Sequence, residues 1–155
     1  MRVSRRRGRV RLQFLPTEAL VLAAFFDEIA ESIEADALAG DDPVRMRLFP
    51  AAYPNDADAD DEYRSFTESG LRAERSARAQ ACSEQLRRGA DVTLADGEGE
   101  RWLQALNDLR LALGTRLDIT EDEPDLDPSE PDFHERSAYY WLTALQDSLV
   151  RALMD

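Results

Sequence analysis

Cys82 and His134 each occur once in this chain of 155 residues; the other groups able to do chemistry are 19 basic residues, all arginine, and 32 carboxylates. A catalytic or metal-binding histidine needs partners at supporting spacing, and His134 has none nearby in sequence, so it is a structural histidine in the first turn of the last helix. Phosphate-cradling glycine loops, nucleophile elbows and zinc-protease motifs are absent. Asp56, Asp58 and Asp60 imitate the start of a calcium loop. That imitation fails where it matters, because Asp61 occupies the sharp-turn position that needs glycine and Thr67 the twelfth position that needs a bidentate glutamate. The expectation is a non-enzyme with no catalytic residue, metal, cofactor or small-molecule substrate.

Cys82 supports two readings. It shares a helical face with Leu71, Ala79 and Leu86, which suits a small buried apolar residue. Arg75 and Arg78, two turns and one turn earlier, would instead favour thiolate if the sulfur reached solvent, making Cys82 a redox sensor. A single reactive cysteine must then pair between chains or oxidise to sulfenic acid. The arginines divide similarly. Arg5, Arg6, Arg7, Arg9 and Arg11 can reach phosphates or a DNA groove as an extended arm, with Arg72, Arg75 and Arg78 continuing the contact along a helix. Equally, the arm can lie against the acidic loops of its own chain.

Periodicity supplies the elements that must position these groups. Trp102, Leu106, Leu109 and Leu113 recur at i, i+4, i+7 and i+11 within Arg101–Asp118 and predict a core helix, with Arg101, Gln104 and Asp108 pointing off the stripe. Leu22, Phe26, Ile29 and Ile33 repeat the stripe 80 positions earlier. Each stripe follows an alternating segment, Val10-Leu12-Phe14 in Arg9–Phe14 and Val92-Leu94 in the second case, and Glu18 and Glu98 fall in step near the two helix starts. This reads as a strand, turn, helix unit used twice, although any two amphipathic helices share such a stripe. Thr17 caps the first helix, which runs to about Ala37 and stops at Gly40-Asp41-Asp42-Pro43. A short helix spans Asp60 to Phe66, and a long one runs from a Thr67 or Ser69 cap to Arg88, closed by Gly89. The last helix, Asp132 to Leu153, buries Ala138, Trp141, Leu142, Leu145, Leu149 and Leu153. The fold class is mainly all-α, a helical bundle of four long helices with a minor two-stranded β element. The whole chain, 1–155, forms a single domain carrying a mobile basic arm at 1–8 and an acidic flexible linker at 120–131.

A formal charge of −13 excludes wholesale non-specific nucleic-acid binding. The charge is segregated, however, with six arginines among the first eleven residues and the acids concentrated in Asp56–Glu62 and Glu121–Asp132. One cysteine excludes an intramolecular disulfide and fits a reducing cytoplasm; no apolar run is long enough to span a bilayer. Leu111, Tyr139, Tyr140 and Val150 fall off the buried stripes and form a candidate partner or dimer surface.

The segments RLFPAAYPNDADADDEYR (Arg47–Arg64), WLQALNDLRLALGTRLDITEDE (Trp102–Glu123) and YYWLTALQDSLVRAL (Tyr139–Leu153) resemble the AosR-like oxidative-stress transcriptional regulators of actinobacteria, a family first described as a domain of unknown function. The resemblance implies a cytoplasmic regulator that answers oxidants through cysteine chemistry, works with a stress sigma factor and RNA polymerase, and raises expression of a cysteine-synthesis operon. Here only Cys82 is present, so a dithiol switch has to be intermolecular. The competing class is a protein–protein interaction scaffold that binds no DNA.

Overall fold

A computed structural model describes residues 1–34, 42–122 and 125–155. The elements, in order, are β1 (Arg2–Arg6), β2 (Arg9–Gln13), α1 (Pro16–Glu34), α2 (Pro43–Leu48), α3 (Ala57–Arg88), β3 (Asp91–Thr93), α4 (Glu98–Arg116) and α5 (Phe133–Met154). The fold is mainly helical with a small antiparallel sheet of order β1-β2-β3. The sheet has three strands where two are expected, because the predicted basic arm is itself a strand. Its Val3 lies opposite Leu12 and packs on the core, an apolar anchor that six neighbouring arginines obscure in the sequence.

The strand, turn, helix unit is indeed used twice. Leu12 pairs with Val92, Arg11 with Thr93 and Gln13 with Asp91. The N–H of Phe14 donates to the carbonyl of Ala90, and the N–H of Leu94 to that of Val10, both at 2.8 Å. Shifting every number by 80 exchanges these two bonds, so a pseudo-two-fold axis passes near the Leu12–Val92 pair. Helix starts repeat as well. Glu18 Oε2 accepts from the Leu15 N–H at 2.8 Å, and Glu98 Oε2 from the Ala95 N–H at 2.9 Å. Each glutamate thus reaches back to a backbone N–H just ahead of its helix. α1 starts at Pro16, which suits the first helical position, so Thr17 lies inside the first turn and is not the cap.

Leu12, Leu22, Phe26, Trp102 and Leu106 are fully buried where the two units meet, with Leu142, Leu145 and Leu149 of α5. The Phe26 ring meets the Trp102 indole edge-on at 5.6 Å, and the indole N–H donates to Gln85 Oε1 at 2.8 Å. Burial of this cluster is the main force holding the sheet to the helices.

Two expected boundaries change. The end of the first helix near Ala37 lies outside the described residues. Asp42-Pro43, read as a stop, also starts α2: Asp42 Oδ1 accepts from the N–H groups of Val44 and Arg45 at 2.8 and 3.4 Å. α3 is one helix of 32 residues instead of two. Asp56 caps it, and ion pairs Asp60–Arg64, Arg64–Glu68 and Glu68–Arg72 cross the supposed break at Thr67. Between α4 and α5 the described residues form no helix or strand.

Candidate functional site

The hairpin of β1 and β2 turns at Arg7-Gly8, where φ is 52° and 79°. Positive φ at both central residues is what a two-residue type I′ hairpin turn needs, and glycine takes it without strain. This turn sets the register Arg6↔Arg9, Arg5↔Val10, Ser4↔Arg11, Val3↔Leu12, Arg2↔Gln13. Side chains alternate across a strand, so Val3, Val10 and Leu12 face the core while Arg2, Arg6, Arg9 and Arg11 share the outer face.

The candidate arginines therefore separate. Arg5 is on the inner side and donates to the carbonyls of Ala152 and Leu153 at 3.2 and 3.1 Å, closing the C-terminal end of α5. Arg11 makes a two-pronged ion pair with Asp91. The hydrogen bond from Arg11, and then its charge, hold the Asp91 carboxyl below its ordinary range. Arg6, Arg7 and Arg9 are exposed and pair with no carboxylate among the described residues. Arg2 joins them. The sequence reading omits it, although the i, i+2, i+4 spacing of Arg2, Ser4 and Arg6 carries the signal. Arg6 and Arg9 stand directly opposite each other, a like-charge pair that destabilises a sheet unless an anion relieves it.

The three candidate arginines of α3 are each partly buried. Arg72 pairs with Glu68 at 3.4 Å. The Arg75 guanidinium lies 4.7 Å from the centre of the Phe49 ring and donates to the carbonyl of Leu48. Arg75 and Arg78 both approach Asp108, at 3.8 and 3.6 Å. Asp108 is 6% exposed, so it belongs to the buried side of α4, not off the stripe. Burial raises its pKa, and the two arginines only partly oppose that. Asp108 Oδ2 and Arg78 Nε lack hydrogen-bond partners, so the triad binds mainly by charge.

Cys82 is completely buried. Burial pushes its thiol from 9.0 to about 12, overriding the opposite pull of Arg101 and Arg78. Of the two readings of Cys82, this burial suits the small apolar core residue; the arginine-favoured thiolate needs the sulfur to reach solvent. The proposed partner surface splits too. Leu111 and Tyr139 meet in the seam between α4 and α5, where Arg110 stacks 5.5 Å from the Tyr139 ring centre; Tyr140 and Val150 remain exposed on α5. His134 is exposed beside Phe133. Asp56 and Asp60 serve the start of α3, Asp60 by accepting from the N–H groups of Ala52 and Tyr53 and from Arg64. Among the described residues no three His, Cys, Asp or Glu side chains are grouped to hold a metal, and no helix is long and apolar enough to cross a membrane.

A mainly helical domain with a three-stranded sheet and a basic outer sheet face is thus the class in hand. The chain belongs to the family described as Domain of unknown function (DUF2017), which matches residues 1–153. It is similar to proteins named "Oxidative stress regulator AosR" from Mycobacterium bovis and Mycobacterium tuberculosis, at 35% identity over 128 residues, covering 73% of this chain and 59% of each relative. A Mycobacterium leprae relative named for the same regulator is 34% identical over 143 residues, covering 82% of this chain and 66% of its own length. The chain therefore spans about three fifths to two thirds of the relatives it matches. No solved structure matches.

Proposed function

We propose that this chain is a non-enzymatic, cytoplasmic regulator of the oxidative-stress response that works with a stress sigma factor and RNA polymerase and presents the outer face of the β1–β2 hairpin to an anionic surface of the promoter complex. The observation that carries this is Arg2, Arg6, Arg7 and Arg9 standing exposed, with no carboxylate partner among the described residues, in a chain of net charge −13. None of the described acids neutralises them. An acidic body with one basic face is repelled by bare DNA except in one orientation, which suits docking on an assembled complex. The names of the mycobacterial relatives support a regulatory role. Cys82 is buried, so in this reading oxidant sensing through it follows a local opening that brings the sulfur to solvent.

The test is fluorescence anisotropy of a labelled promoter fragment from the chain's own operon, alone and with polymerase holoenzyme, comparing wild type with a variant carrying alanine at Arg2, Arg6, Arg7 and Arg9. Tighter holoenzyme–promoter binding that the variant loses, with a salt dependence that flattens in step, is expected. Equal behaviour of the two proteins would refute the hairpin assignment.

A second reading, a scaffold that touches no DNA, is favoured by the overall acidity. It predicts holoenzyme binding in the absence of promoter and none to the fragment alone.

A further inference from the structure

α1 and α5 both lie against α4 without packing closely on one another. Between them runs an open cleft of about 400 Å³ whose walls are Val21 and Phe25 of α1 and Ala138 and Trp141 of α5. Phe25 also borders a second hollow of about 370 Å³, floored by Leu113 and Leu117 at the end of α4. Val21 is 53% exposed, and Leu20 beside it 61%. Two partly exposed aromatics in a concave apolar surface are the anchor type that dominates binding energy at protein interfaces. The groove-facing residues Thr17, Val21, Phe25 and Glu28 of α1 form one ridge at helical spacing, about three turns or roughly 17 Å long. A cleft of that length between two helices accepts the apolar face of a third.

Charge at the rim selects the occupant. Glu18 lines the cleft and holds the Met1 amino group at 3.1 Å, while Glu28 and Glu135 border the adjoining hollow, Glu28 paired with Arg116 at 3.3 Å and Glu135 with no ion pair among the described residues. Just ahead of α5, a separate hollow is lined by Asp125, Asp127, Glu130 and Asp132, of which Asp132 is paired with Arg136 at 2.8 Å. A second copy of this acidic chain would bring like charge to like charge. We propose that the α1/α5 cleft binds an amphipathic helix of a partner protein, its apolar face on Val21, Phe25 and Trp141 and its basic end over the acidic approach to α5. This surface is separate from the hairpin face, so it stands whether or not the hairpin meets the promoter complex.

The experiment uses two labelled model peptides of about five turns, one of leucine and lysine at amphipathic spacing and one with glutamate replacing lysine, titrated into the full chain at physiological salt. Saturable binding of the basic peptide, absent for the acidic one, is expected. Val21→Glu should weaken it at least about tenfold and Glu135→Arg a few fold. Val21→Glu adds negative charge at a site exposed enough to leave the fold intact, so attraction by charge alone predicts equal or tighter binding. That result, or equal binding of the acidic peptide, would overturn the proposal. So would a sedimentation-defined dimer that Val21→Glu abolishes, which would make a second copy the occupant.

Discussion

The β1–β2 hairpin and helix α3 are both rich in arginine, yet one displays its charge and the other consumes it. In α3 each of Arg64, Arg72, Arg78 and Arg88 stands four residues after a carboxylate, Asp60, Glu68, Glu74 and Glu84, and pairs with it on the same helix face. In the hairpin the period is two, no acid occurs before Glu18, and the outer face collects cations that only Asp91, arriving on β3, begins to offset. An acidic chain thus keeps a usable positive surface by confining it to an element whose period its acids do not share.

This contrast can be broken at several places. The thiol of Cys82, on the inward-facing half of α3, should show the largest effect. Raised from 9.0 to about 12, it holds on the order of a thousandth of the ordinary thiolate. Iodoacetamide should therefore label native protein at least about a thousandfold more slowly than urea-unfolded protein at pH 8. Because the folded pKa is the higher one, the associated stability is complete below 9 and is lost as pH rises toward 12, which urea titrations at pH 8 and 10 would reveal. Fast native labelling would restore the sensor reading.

Asp108→Ala should come next, costing about 3 kcal/mol in urea unfolding by leaving Arg75 and Arg78 without their counter-charge. Asp108→Asn, which keeps the polar shape, should cost less. Since burial raises the Asp108 pKa, its favourable contribution is complete below 3.8 and is lost as pH rises through its folded value, so the asparagine variant should flatten the stability profile on the acid side. At the hairpin, Gly8→Val should cost about 1 kcal/mol, because a β-branched residue resists the φ of 79° there. Smallest of all, alanine at Arg2, Arg6, Arg7 and Arg9 together should move stability by less than about 0.5 kcal/mol while abolishing hairpin-dependent binding. A large loss of stability would show that these arginines support the fold.

Both helical stripes and the doubled unit are legible in the sequence because one side of each helix meets a continuous core, and that leaves a period. Asp108 is misplaced by the same logic. The buried side of α4 is wider than its four-residue stripe, and the cations that let a carboxylate enter it come from α3, across the fold. Strand β1 escapes notice since Val3 alone reports its inner face. α2 is hidden in six residues whose start looks like a stop. The exposed arginines Arg6, Arg7 and Arg9 are found from the sequence, but their distinction from Arg5 and Arg11 depends on the C-terminal carbonyls of α5 and on Asp91, both far along the chain.

The pseudo-two-fold pairing of β2 with β3 also bears on how the chain reaches its native state. The hairpin can close within microseconds of its own synthesis, whereas Leu12 meets Val92 only after the 79 intervening residues have been made and their loop closed. Until then β2 offers an open edge to other chains, guarded by the repulsion of its arginines. Once formed, the amides of Phe14 and Leu94 should exchange with solvent as one cooperative unit despite their separation in sequence, since each bond is the other's mirror across the same axis.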